Sequence, residues 1–269
     1  MGLKYLLGLM VMTSLLAACT AGLPTEIHQQ EAQLAPASQD EGQALVQSPA
    51  QPDGLPHLSL VERSLALESQ DPPYEIQAVW PNLEGNSGLT VTFNVEVDHR
   101  VRTAVESFQD QVRGADAADE GWPLSWLTVD YELTFTSDRL VSVYLMFDTY
   151  IAFSAHPFPA SQSLNYDAAT GQLIDLVDLF RPGAEALPVV LGEVEQALLA
   201  RDLGYADGTV ESVLQARENW NFLPEGLRLN FDVYEVGPYA AGPQYVLIPW
   251  DLLSPHVVPG GPAEIFSVR

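Results

Sequence analysis

The chain has 269 residues, 47% of them hydrophobic, which is enough apolar material for a folded domain of ordinary size. Its 36 acidic and 11 basic side chains give a net charge of −25, and a surface of that sign repels phosphate backbones and anionic headgroups, so nucleic acid is excluded as an expected partner. A single cysteine, Cys19, excludes an internal disulfide.

Taken in chain order, residues 1–18 begin with Lys4, the one lysine of the chain, followed by an apolar run from Tyr5 to Leu16 and two alanines. This is the layout of a secretory signal peptide, and the run is too short for a spanning helix. Leu16-Ala17-Ala18-Cys19 resembles the lipobox of bacterial lipoproteins, which implies that Cys19 is lipidated and becomes the mature N-terminus. A diacylated cysteine is expected to hold the protein on the outer side of a membrane, as an extracytoplasmic lipoprotein. Residues 19–57 have no aromatic residue and are rich in Gln, Ala, Pro and Ser, so they are expected to form a flexible tether with a reach of roughly 40 Å. The folded domain is expected over residues 58–269, where all five tryptophans lie.

Within it, Glu75–Trp80 has the pattern of a strand, with a turn expected at Asn82-Leu83-Glu84-Gly85. Asn94 is placed to cap a helix whose apolar stripe runs through Val97, Val101, Ala104, Val105, Phe108 and Val112, with Gly114 at its end. Residues Leu127–Thr136 alternate apolar and polar, and with Arg139–Ala152 they predict an antiparallel hairpin. A second pair is expected at Gln162–Tyr166 and Gly171–Ile174. A short apolar segment from Asp175 to Phe180 precedes a helix through Leu187, Val190, Leu191, Val194, Leu198 and Leu199, ended by Gly204, and a short helix over Val210–Arg217. The last two strands are expected at Leu227–Val236 and Gln244–Ile248. This order predicts an α+β domain, an antiparallel sheet with helices packed on one side.

Four stretches in this order resemble the RsiV-like extracellular domain family: YEIQAVWP (74–81), Ala155-His156-Pro157, YDAATGQLIDLVDLF (166–180) and LRLNFDVYEVGPYAAGPQYVLIPWDLL (227–253). That family is a domain of unknown function found in lysozyme-sensing anti-sigma factors, in lipoproteins and beside the catalytic domain of some peptidoglycan deacetylases. The resemblance implies a sensing or binding module without the signalling or deacetylase parts, and a ligand that is a lysozyme-type protein or a peptidoglycan fragment. One departure concerns the pair before Ala-His-Pro, where the family commonly has Gly-Gly and this chain has Phe153-Ser154.

The acidic balance points to a cationic envelope protein as partner, with a wall glycan as the other option. The candidate ligand-binding residues are His156, Pro157, Pro238, Tyr239 and Gly242, on two loops beside expected strands, and Tyr234, near the end of the strand before the second loop. Tyr239 stands among small residues, where an aromatic ring presents a contact face or packs on the sheet with its hydroxyl satisfied. No metal-ligand spacing, nucleophile elbow or phosphate loop occurs, so no cofactor or metal is expected. The competing expectation is a wall-directed hydrolase in which His156 acts as a base with Asp148 and Ser154 near it.

Overall fold

The computed structural model describes residues 58–84, 88–114, 123–204, 209–214 and 218–267. The signal peptide, Cys19 and the tether lie outside the described residues. The described residues fall within one compact unit, Asp53–Arg269.

Two sheets make up the domain. The larger has six strands in the order of the chain, β1 (Leu60–Gln70), β2 (Pro73–Leu83), β3 (Ser125–Thr136), β4 (Leu140–Tyr150), β5 (Phe158–Asp167) and β6 (Gln172–Leu173). Helix α1 (Gly88–Gly114) crosses from β2 to β3, and a crossover of that kind makes the pair parallel, whereas every other neighbouring pair is antiparallel. The smaller sheet is an antiparallel meander of β7 (Trp220–Phe222), β8 (Gly226–Phe231) and β9 (Gln244–Pro249). Helices α2 (Ala186–Leu199), α3 (Thr209–Leu214) and α4 (Trp250–Leu253) accompany it.

Strand alternation explains how the sheets share β4. Val141, Val143, Leu145 and Phe147 point to one face, where they join Ile76, Leu127 and Val129 beneath α1. The helix contributes Phe93, Val97, Val101, Phe108 and Val112, each at most 1% exposed, at spacings of four and seven that keep them on one face. Each such side chain contributes about 1.5–3 kcal/mol by leaving water. Leu140 and Ser142 point to the opposite face, where β7 and β8 lie. There Leu140 joins a second core built from Val190, Val194 and Leu198 of α2 with Trp220, Phe222, Leu227 and Trp250. The domain is α+β, as expected, with α1 packed on the first core and α2, α3 and α4 on the second.

Several expected boundaries move. Strand β2 runs through Pro81 to Leu83 instead of turning there. Beyond Ala78 it pairs with β1 alone, so a proline meets no second ladder to interrupt. Asn94 does not cap α1, which begins at Gly88. Its carboxamide instead accepts from Leu83 N (2.7 Å) and donates to Leu83 O (3.0 Å), fixing the end of β2 to the helix. Helix α2 ends at Leu199, five residues before Gly204. The strand expected to reach Val236 stops at Phe231, because residues 233–235 form a turn. Strand β1 and the three-residue β7 had no expected counterpart, although the leucine-rich stretch 57–69 fits β1.

Candidate functional site

Two loops meet beside the N-terminal end of β5. The first, residues 151–157, joins β4 to β5. Phe153 has φ +69° and is 70% exposed, and Ser154 N donates to Ile151 O (2.9 Å) to close the bend. A positive φ is the conformation in which glycine is comfortable, so Phe153 occupies a glycine-like position with a large side chain. That agrees with the departure noted at this place in the sequence.

The second loop, residues 232–243, joins β8 to β9. Asp232 fastens its start: the carboxylate accepts from Ser161 N (3.0 Å) and Ser161 Oγ (2.6 Å) of β5. Glu235 accepts from Asp232 N (2.7 Å), and between the two carboxylates Tyr234 takes φ +70°. Burial pushes both carboxyls above their ordinary range, partly offset by the Ser161 bonds at Asp232 and by the Asp232 amide at Glu235. Val236 is buried, and Gly237 passes so close to Leu203 that a Cβ would sit 3.3 Å from the leucine Cβ. Pro238 leads into a 3₁₀ turn over Tyr239–Ala241, and Gly242 closes it with φ +67°, a conformation open to glycine.

The loops bring four of the six candidate residues into contact. The His156 and Tyr239 rings stack at 3.8 Å between centroids and 28° between planes. Tyr239 Oη donates to Pro157 O at 2.7 Å, and His156 Nδ1 lies 2.9 Å from the same carbonyl. That contact requires a proton on Nδ1, which leaves Nε2 of a neutral ring to accept from Tyr234 Oη at 3.3 Å. Tyr234 in turn lies 5.7 Å from Tyr239 and 6.5 Å from Phe158, nearly parallel to the latter. Pro238 and Gly242 do not join the ring contacts; they shape the turn that carries Tyr239. Phe158 and Tyr234 are 50% and 57% exposed, so the ring contacts form an aromatic surface with His156 and Tyr239 half-buried at its base, and Phe153 of the first loop adds a further ring that is 70% exposed.

Sequence reasoning missed Phe158 and Asp232. Phe158 opens a strand and carries no distinguishing neighbour. Asp232 reads as a polar strand position until its partner, 71 residues away, is known. As for proton transfer, the ring nitrogens of His156 face a carbonyl and a phenol, while Asp148 of β4 lies opposite Pro159 of β5. Among the described residues there is no group of three or more His, Cys, Asp or Glu side chains able to hold a metal ion.

Comparison with known proteins adds the family context. No curated protein matches the chain. Two solved structures of DUF3298 family proteins resemble it. One, from Bacteroides fragilis, is 14% identical with a TM-score of 0.51, covering 75% of this chain and 94% of that one. The other, from Pseudomonas aeruginosa PAO1, is 18% identical with a TM-score of 0.50, covering 77% and 96%. At such identities the likeness is one of fold. The family model itself matches α2 through β9, including the Tyr234–Gly242 loop but not His156 and Pro157. Residues 177–251 are thus a DUF3298 domain, described as a protein family of unknown function, set in a fold like those of two DUF3298 family structures.

Proposed function

We propose that the protein is a lipid-anchored, extracytoplasmic binding module of the RsiV-like kind. In this reading its aromatic surface engages a cationic envelope-active protein of the lysozyme type. The observation that carries the reading is Phe153 and Tyr234, two well-exposed aromatic residues held at positive φ. A left-handed conformation costs a non-glycine residue about 1–2 kcal/mol, and burying these rings in a contact offers a return for that strain. Aromatic anchors on loops over a rigid sheet are the usual centre of a protein contact. The net charge of −25 supplies long-range attraction for a basic partner.

Anchoring rests on Leu16-Ala17-Ala18-Cys19, and Cys19→Ser is expected to release the protein from membranes washed with carbonate. Recognition is tested by equilibrium binding of the full chain to a lysozyme-type muramidase and to a basic control protein of matched charge. Tyr234→Ala is expected to weaken the first by roughly tenfold or more and leave the second unchanged. Equal loss toward both proteins, or none toward either, removes the aromatic surface from the function.

A further inference from the structure

The larger sheet ends on β1, an edge strand without the features that ordinarily blunt an edge. Prolines, lysines, bulges and shortness keep edge strands from pairing with another chain. Strand β1 is eleven residues long, holds neither proline nor lysine, and keeps an unbroken register with β2. Its one cation, Arg63, is turned to Asp98 of α1 at 3.4 Å. Residues Val61 to Ser64 are exposed, as are Ala66, Glu68 and Gln70.

The phase of the ladder is fixed by Glu84 N, which donates to Ser59 O at 2.8 Å in the same register. Odd-numbered residues of β1 therefore turn their amides and carbonyls to β2, and even-numbered ones turn theirs away from the sheet. Among the described residues, none forms a hydrogen bond with the outer amides and carbonyls of Glu62, Ser64, Ala66 or Glu68. The side chains alternate as well. Leu65 and Leu67 lean on the core beneath α1, while those of Glu62, Ser64, Ala66 and Glu68 project from the other face.

The chain itself narrows what can cover this row. Residues 19–57 have no aromatic residue and, besides Thr20 and Thr25, only Ile27 and Val46 are β-branched, so they make a poor strand. The row is instead suited to its own copy. Two such rows pair about a two-fold axis through the sheet only when even-numbered residues meet even-numbered ones. With the axis at Ala66, Leu65 of one copy lies opposite Leu67 of the other, Ser64 opposite Glu68 and Glu62 opposite Gln70, so no like charges meet. Other axes are poorer. At Leu65, Glu62 meets Glu68; at Leu67, Glu62 meets Pro72, which has no amide; at Ser64, Arg63 meets Leu65.

We infer that the protein forms a two-fold dimer in which β1 pairs antiparallel with β1 of a second copy about Ala66. About ten backbone hydrogen bonds then make one sheet continuous through both copies. The inference is independent of the aromatic surface, which is carried at β5, near the other edge of the sheet.

The test is sedimentation equilibrium of the full-length Cys19→Ser chain, which has no thiol, over a range of concentrations. A monomer–dimer equilibrium is expected, tighter at physiological than at low salt, because screening weakens the repulsion between two copies of charge −25. Ala66→Pro deletes an outer amide and spares the ladder to β2. It is expected to weaken dimerisation at least roughly tenfold, with Tm unchanged at concentrations where the parent is monomeric. If it lowers Tm, Ser64→Asp is read in its place, since its new charge meets Glu68 of the other copy. Tyr239→Ala is expected to dimerise as the parent does. For the register, Ala66→Cys in the same background is expected to oxidise to a covalent dimer, its two Cα atoms being about 5.5 Å apart. Glu62→Cys is expected not to, since its two copies stand roughly 27 Å apart. A monomer at every concentration, association unchanged in the edge variants, or equal oxidation of the two cysteine variants would each overturn the inference.

Discussion

Two clusters of polar and aromatic groups sit on β5, and they are built on opposite terms. Near the middle of the domain, Ser142, Ser163, Asn165, Asn221 and Asn230 form a network between the sheets in which none is more than 4% exposed. Ser142 Oγ donates to Asn165 Oδ1 (2.6 Å) and accepts from Thr134 Oγ1, Asn221 Nδ2 and Phe222 N. Asn221 Oδ1 accepts from Ser163 Oγ and Asn230 Nδ2, both at 2.8 Å. Every one of these side chains has its partner inside the protein. At the end of the same strand, the loops leave Phe153, Phe158 and Tyr234 exposed, two of them, Phe153 and Tyr234, at positive φ. Complete internal satisfaction marks groups that hold the fold, and exposed apolar area kept against local strain marks groups that meet something else.

That contrast is broken most readily at its buried side. Asn221→Ala removes four side-chain hydrogen bonds, takes a donor from Ser142 and from the Val143 carbonyl, and leaves Ser163 and Asn230 with their bond to each other (2.9 Å). A loss of about 3 kcal/mol in urea unfolding is expected. Tyr239→Phe keeps the stack on His156 but deletes the bond to Pro157 O, for an expected loss of about 1 kcal/mol by the same measurement. Phe153→Gly goes the other way. Relief of the positive φ is partly offset by the greater chain entropy of glycine, so stability is expected to hold or rise by up to about 1 kcal/mol while partner affinity falls.

The smallest effect concerns pH. Asp232 and Glu235 have carboxyls raised above the ordinary 3.8 and 4.5, chiefly by burial. Folded values above unfolded ones mean that the folded state binds these protons more tightly. Their contribution is full below the unfolded values and is lost as pH rises through the folded ones. Stability is therefore expected to fall over a window beginning just above pH 3.8 to 4.5, and more gently in Asp232→Asn, as read from Tm against pH.

Much of the first core was readable before the structure. The α1 stripe and the alternation of β3 through Leu127 and Val129 hold in the fold, whereas a register shift between Leu133 and Phe135 leaves Leu133 38% exposed and Thr134 buried, against the expected alternation. The parallel pairing of β2 with β3 was not readable, since it depends on where α1 delivers the chain. Nor was the role of Asn94, whose partner Leu83 lies outside the helix. Trp220-Asn221-Phe222 is too short for a strand pattern, and its asparagine resembles a turn signal until the network that buries it is seen. At the site, His156 and Tyr239 stood out because they lay in loops of unusual composition, yet the stack joins residues 83 positions apart. The turn at Tyr234 has no glycine or asparagine to announce it, so the second loop began later in the sequence reading than it does in the fold.

Recognition by the aromatic surface is tested most directly by the rate constants for the full chain and a lysozyme-type muramidase, measured with and without Tyr239→Ala at low and physiological salt. The expected result is a split. Salt slows association in both proteins alike, because the long-range attraction comes from net charge, and the substitution speeds dissociation roughly tenfold without changing association. Indistinguishable dissociation of parent and variant, with binding of both lost together as salt is raised, would contradict it and leave only nonspecific attraction between an acidic and a basic protein.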